Sequence, residues 1–340
     1  MSAMKNTWYN TKGEENDVAV SSRVRFARNL DCYPFTNRLD EASAREIVEK
    51  VENALGSDFS FTDFREIEAP MARAYMEQHF VSPEFVGGSL PRALALSEDG
   101  SCSVMICEED HIRQQVILPG LALNEAFRRA CTVDDLLSAK LPIAYDQKLG
   151  YLTQCPTNLG SGMRASVMLF LPALQMTGKL RSVMSQLPKL GVTIRGLYGE
   201  GSEAEGALYQ VSNQVTMGLP EEEVIAKLEE VIRQIISLER KSRNELRSDN
   251  ADTLRDRIMR SFGTLHYAQL LSSSEFMRLF ADVRLGIALG YIQNYSYEQL
   301  GELMIRVMPG NLTVEAGRPM EDAERDAYRA QTVRQAVAGV

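Results

Sequence analysis

Apolar residues recur along this chain with two different periods, and the change from one to the other divides it. From Val18 to about Met217 the pattern is mixed. Short runs of strand character, Cys102–Cys107 (CSVMIC) and Gln115–Leu118, alternate with longer stretches of helical spacing, Asp40–Leu55 and Leu123–Leu137. From Pro220 onward helical spacing takes over. Gly218, then Pro220 followed by three glutamates, reads as a helix start, because proline suits the first turn and acids suit the positive end of the helix dipole. Val224, Leu228, Val231, Ile232, Ile235 and Leu238 then form one apolar stripe. Ser248-Asp249-Asn250 reads as a break. Three or four further helical segments follow, one opening with Ser272-x-x-Glu275, a capping-box pattern. The expectation is an α+β body over residues 1–247 and a small all-α bundle over 248–340, with no internal repeat.

Composition adds mainly exclusions. A length of 340 residues suits two domains, at roughly 150 residues each. The net charge of −9 argues against direct nucleic-acid binding. No apolar run approaches the roughly 20 residues of a membrane helix; Ala165–Leu171 is stopped by Pro172. The first residues carry no apolar signal region, and five cysteines without CxxC spacing read as reduced thiols, so the expected location is cytoplasmic. With His79, His111 and His266 alone, HExxH cannot occur, and no GxxxxGK[ST] string is present. Of the 37 basic residues 28 are arginine, the residue suited to planar contact with phosphate or carboxylate. Compositional bias explains most of that excess.

Four strings carry candidate chemistry. In SSRVRFARN, Arg23 and Arg25 of a strand share one face, and two adjacent guanidinium groups favour an anion between them; a solvated strand face is the alternative. Arg28 closes the string. In ICEEDHIR, Glu108, Glu109 and Asp110 crowd three carboxylates after an apolar strand, suiting a cation or a proton transfer, or making an acidic turn. In TQCPTNLGSGMRASVMLFL, Cys155 precedes a glycine turn and then an amphipathic helix expected from about Met163, an arrangement that would aim backbone N–H groups at an anion. Gly160-x-Gly162-x-x-Ala165 also matches a relaxed dinucleotide fingerprint, but no acidic residue closes a second strand, which counts against a nicotinamide dehydrogenase. Finally IRGLYGEGSEAEG, with Glu200 between two glycines, reads as a loop able to close over a ligand.

Taken in order, SSRVR, EEDHIR, CPTNLGSGMR, RGLYGEGS and YQVSNQ make the chain resemble the phosphagen kinase (ATP:guanido phosphotransferase) family, and within it the bacterial protein arginine kinase branch. The resemblance runs from about Val18 to Gly218 and continues into the helical tail. It implies a catalytic domain of antiparallel sheet flanked by helices, then a helical domain. It implies transfer of the γ-phosphoryl group of ATP, with Mg²⁺, to arginine side chains of proteins, as a regulatory or degradation mark in the stress response. Residue by residue it assigns the nucleotide phosphates to Arg23, Arg25, Arg113, Arg164 and Arg195, and the adenosine to His79 in YMEQHF. It makes Glu109 the carboxylate that grips the guanidinium and serves as base, Glu200 the second such carboxylate, and Cys155 the reactive cysteine beside them. Arg325-Asp326-x-x-Arg329-Ala330 matches the branch's allosteric phosphoarginine-binding motif, although by itself that hexapeptide reads as a charged helix face. Gln210 stands where the small-guanidine kinases carry an aspartate, and its role stays open. SSRVR beginning at Ser21 leaves no room for the helical substrate domain of those kinases, so an open site able to admit a polypeptide is expected. The implied partners are protein substrates with exposed arginine, a second copy in a homodimer, a zinc-containing activator, a heat-shock transcriptional repressor and the ClpC unfoldase. A phosphoarginine-binding adaptor is the competing reading. The presence of Glu109, Glu200 and all five arginines favours an enzyme.

Overall fold

The computed structural model describes residues 7–196 and 205–338. Its centre is an eight-stranded antiparallel sheet. The strands are β1 (Ala19–Arg28), β2 (Phe59–Asp63), β3 (Ala93–Ser97), β4 (Cys102–Ile106), β5 (Ile112–Pro119), β8 (Met163–Phe170), β9 (Val192–Gly196) and β10 (Leu208–Asn213). A small hairpin of β6 (Tyr145–Asp146) and β7 (Gly150–Tyr151) lies outside the sheet. The order across the sheet is β2-β3-β4-β5-β1-β8-β10-β9, so β1 lies inside it with β5 and β8 as neighbours. One face buries α1 (Glu41–Leu55), α4 (Leu123–Ser138) and α7 (Glu221–Asp249) against Val24, Phe26, Val116, Ala165, Val167 and Val211. Every one of these strand residues alternates with a residue on the opposite face, as the pleat requires.

The opposite face is covered in two patches with a gap between them. Over β3 and β4, α2 (Ala69–Glu77), α3 (Pro83–Gly87) and the link between them pack through Ala72, Phe85 and Phe80 on Leu94, Leu96 and Met105. Beyond the short helices α5 (Pro172–Met176) and α6 (Leu180–Gln186), the C-terminal helices follow. They are α8 (Ala251–Tyr267), α9 (Ser273–Ala288), α10 (Tyr297–Arg306), α11 (Pro309–Ala316) and α12 (Asp322–Val337). They share a core with Ile117, Met168, Phe170 and Leu208 of the sheet.

Several expectations change here. The helix expected from about Met163 is strand β8, a central strand buried on both faces, whose near-continuous apolar run hides its period of two. The glycines before it therefore lead into a strand, and the dinucleotide fingerprint loses its helix. Pro220 is the N-cap, and the three glutamates occupy the first turn. In the α7 stripe Leu238 is 44% exposed, and buried Glu239 continues the inward face instead. Its carboxylate accepts from Ala173 N (3.1 Å), Leu174 N (2.9 Å) and Arg243 Nε (2.8 Å), so burial of that charge is paired. Five helices follow the break at Asn250 rather than three or four, because α10 and α11 are parted by only Val307 and Met308 before Pro309. Ser272 does cap α9 by accepting from Glu275 N, and a full reciprocal box joins Ser296 and Gln299 on α10.

Candidate active site

Register decides which side chains meet in the gap. Arg25 stands opposite Arg164 on β8 and Gln115 on β5, and Arg23 opposite Ser166 and Ile117. Arg113 lies two residues before Gln115 and so on the same face. Gln210 pairs with Met168 on one side and with Arg195 on the other. Five arginines from four strands thus share one face. Three of them, Arg23, Arg25 and Arg113, line a cavity of about 300 Å³ together with Ser21, His79, Ser166 and Gln210.

The electrostatics of this strip are those of an anion site. Burial, reinforced by Arg113 and Arg164, pulls the Arg23 guanidinium down to about 10, and Arg25 falls well below its ordinary value for the same causes plus Arg23 itself. Guanidinium groups stay protonated at neutral pH, so the depression reflects burial first and the neighbouring positive charges second, and a polyphosphate would offset both. Among the described residues Arg25 Nε is buried with no hydrogen-bond partner. Arg113 differs. Burial opposes its charge too, but Glu108 holds its pKa up, with both carboxylate oxygens accepting from Nη1 at 2.5 and 2.7 Å. Arg164 donates to Ser212 Oγ at 3.1 Å. His79 follows the end of α2 in a left-handed conformation (φ 66°), and its ring stacks on Trp8 at 4.9 Å between centroids. Burial, then Arg23, lowers its pKa to about 3, so the ring is neutral and suits contact with a base rather than with phosphate.

The three crowded acids separate into three roles. Glu108 braces Arg113 and also accepts from Ser82 Oγ (2.6 Å) and Glu109 N (2.9 Å); burial opposes its ionised form, yet Arg113 holds it below the usual carboxylate range. Asp110 accepts from Asn29 Nδ2 (2.6 Å) and Gln154 N (2.8 Å), tying the turn to two distant segments. Glu109 lines, beside Glu108, a second cavity of about 440 Å³, which adjoins the first through Glu84 and Arg113, and Glu108 is already engaged by Arg113 and Ser82. Burial, then Asp110, raises the Glu109 pKa, a direction that suits a proton acceptor. A left-handed turn at Cys107 (φ 62°) presents it there.

Not every singled-out residue joins the site. Arg28 forms a bidentate buried pair with Asp134 (3.0 and 2.8 Å) and stacks on Tyr151, so it belongs to the core. Gln154 lines the second cavity, whereas Cys155, next along, is partly exposed with Sγ 3.0 Å from Thr157 Oγ1. Glu200 lies outside the described residues. Arg329 is buried, donating to Val307 O (3.0 Å), Leu271 O (2.7 Å) and Asp326 (2.5 Å), while Arg325 pairs with Asp322. Among the described residues no cluster of three histidine, cysteine or acidic side chains can hold a metal, and no helix is long and apolar enough to cross a membrane. Sequence reasoning missed Trp8, the Glu108–Arg113 brace and the contribution of Met304 and Met308 to the first cavity. Trp8, Met304 and Met308 have no local signal, since each reaches the site from a segment far away in the chain; the brace is local, five residues apart across the β4–β5 turn, and its spacing was there to be read.

A cationic strip beside a cavity lined by a carboxylate suits an anionic donor next to a cationic acceptor, the arrangement of a phosphotransferase. Residues 42–242 match the model of the ATP:guanido phosphotransferase C-terminal catalytic domain, and the chain belongs to that family. The fold also resembles the duplicated taurocyamine kinase from Schistosoma mansoni with bound transition-state analog components. That match has a TM-score of 0.60 and 25% identity, covering 67% of this chain and 34% of that one. Lombricine kinase shares the fold at a TM-score of 0.58 and 22% identity, covering 68% of each chain. Within the family the relatives are narrower. Residues 251–340 match the protein-arginine kinase McsB C-terminal domain. The protein-arginine kinase of Pelotomaculum thermopropionicum is 40% identical over 98% of this chain and 96% of its own length. Those of Moorella thermoacetica and Brevibacillus brevis are each 42% identical, covering 98% of this chain and 97% and 96% of theirs. The chain is therefore an enzyme of the protein-arginine kinase branch of the guanido phosphotransferases.

Proposed function

We propose that the catalytic region, 1–247, phosphorylates arginine side chains of folded or unfolded proteins with Mg-ATP, and that the mark serves regulation or degradation in a stress response. The observation that carries the site assignment is the strip of half-buried arginines, with Arg25 Nε buried and without a hydrogen-bond partner among the described residues, directly beside the cavity that presents Glu109. In this reading Arg23, Arg25, Arg113, Arg164 and Arg195 hold the triphosphate and His79 meets the adenosine. Mg²⁺ arrives on the phosphates, its usual habit. Positioning and neutralisation supply most of the rate of phosphoryl transfer.

The acceptor guanidinium is a poor nucleophile while protonated. Glu109, joined by Glu200, orients it through paired hydrogen bonds. As the N–P bond forms and the bond from γ-phosphorus to the β,γ-bridging oxygen breaks, the guanidinium proton passes to Glu109, leaving phosphoarginine and ADP. Cys155 is assigned beside that acceptor by family resemblance alone, next in sequence to Gln154 of the cavity lining. Arg325, Asp326 and Arg329 of the helical region, 248–340, form an allosteric phosphoarginine site. The homodimer, zinc-containing activator, heat-shock repressor and ClpC unfoldase, and the cytoplasmic location, rest on family resemblance. Incubation with Mg-ATP and an arginine-rich protein, followed by mass spectrometry under mild conditions, is expected to find acid-labile phosphate on arginine. Labelling of free arginine or creatine instead would refute the protein substrate.

A further inference from the structure

We propose that the C-terminal helices complete the nucleotide site: Met308, backed by Met304 and Ile305, is the wall on which the purine ring seats, and Glu77 clasps that wall in place. The proposal rests on the reading of the 300 Å³ cavity as a triphosphate site and adds its second end. That cavity is two-sided. Arg23, Arg25 and Arg113 supply charge for phosphate, whereas Val81, Ile117, Met168, Met304 and Met308 supply apolar surface. A nucleoside triphosphate is built the same way, with a flat, weakly polar ring joined to a polyanion. Methionine, unbranched and polarisable, adapts well to the face of a ring.

The wall belongs to the far C-terminal part of the chain but is locked to the segment that carries His79. Glu77, the last residue of α2, accepts from Gly310 N (2.8 Å), Asn311 N (3.0 Å) and Asn311 Nδ2 (2.9 Å), so it caps the first turn of α11 just after Met308. Gln78 Nε2 donates to Asn311 Oδ1 at 2.8 Å. Only glycine fits at position 310, because a Cβ there would lie 2.8 Å from Ala74 N; α11 thus rests directly on the α2 backbone. From the other side, Val307 O accepts from Arg329 Nε at 3.0 Å. His79, two residues past Glu77, and Met308, two residues before Gly310, are therefore set by one capped junction. Glu77 is a positioning residue; Met308 is the contact.

Titration calorimetry with two probes separates the wall from the arginines: Mg-ATP, which has a base, and Mg-tripolyphosphate, which has none. Met308→Ala is expected to weaken ATP about five- to tenfold while changing tripolyphosphate by less than about twofold. Met308→Leu, which keeps the volume, should bind ATP close to the parent. Glu77→Gln should raise KM for ATP with kcat at saturating ATP retained and the same selectivity between the probes. Equal weakening of both probes by Met308→Ala, or no change in either, overturns the proposal. If the parent protein binds neither probe, the phosphate site itself fails, and the wall with it.

Discussion

Glu108→Gln is expected to destabilise the protein while Glu109→Gln, one residue on, is not. Glu108 is 1% exposed in its side chain and its partner Arg113 21%. Removing the acid leaves Arg113 as an uncompensated cation among Arg23, Arg25 and Arg164, while glutamine still offers one acceptor to Ser82. Breaking a fully buried pair costs about 3–5 kcal/mol; with Arg113 one-fifth exposed and Ser82 still bonded, about 2–3 kcal/mol is expected here. Thermal midpoints fall by about 2–4 °C per kcal/mol in domains of 150–250 residues, so scanning calorimetry should read a drop of about 4–12 °C. Two further readings sharpen the test. The variant site has one more unbalanced positive charge, so saturating tripolyphosphate should raise its midpoint more than the parent's. The folded Glu108 pKa is depressed, so its stabilisation is complete above the ordinary glutamate value and vanishes as pH falls through the depressed one. The gap between variant and parent should therefore be full at neutral pH and close in acid. A Glu108→Gln midpoint equal to that of the parent, with Glu109→Gln lowered instead, would refute the division of roles between the two acids.

The remaining predictions test the other charges. Arg25→Met should stabilise the ligand-free protein by about 1 kcal/mol through relief of repulsion, yet weaken ATP at least about tenfold; a loss of both properties would mean that Arg25 is structural. Because the Glu109 pKa is raised and the base must be ionised, kcat/KM should rise with pH through a limb above the ordinary glutamate range. Glu109→Gln should abolish that limb and lower kcat by about 10²–10⁴, with ATP binding retained by calorimetry. Arg28→Ala, which breaks the buried pair with Asp134, should cost about 3 kcal/mol in the same scans and leave KM for ATP within about twofold. A large rise in KM would instead place Arg28 with the phosphate arginines.

Much of the local structure follows from the chain alone, for physical reasons that act over a few residues. The helices at Glu41–Leu55 and Leu123–Ser138, the start at Pro220 and the break at Asn250 lie where apolar spacing and capping residues put them. The pleat alone puts Arg23 and Arg25 on one face. Five ordered motifs were enough to identify the family. The exceptions are equally physical: Met163–Phe170 is buried on both faces, so its polar alternation is too faint to tell a strand from a helix. Only the tertiary structure decided what each charge does. Strand order sets Arg164 across from Arg25 although 139 positions separate their numbers, since 164 − 25 = 139. Register and the bonds of Ser82 and Asn29 divide three consecutive acids into a brace, a tether and a free carboxylate. The same long-range packing turned Arg28 inward and brought Met308 to the cavity lined by Arg23 and Arg25. A sequence records which groups are available and how they repeat. Field, burial and proximity arise between segments that meet only after folding.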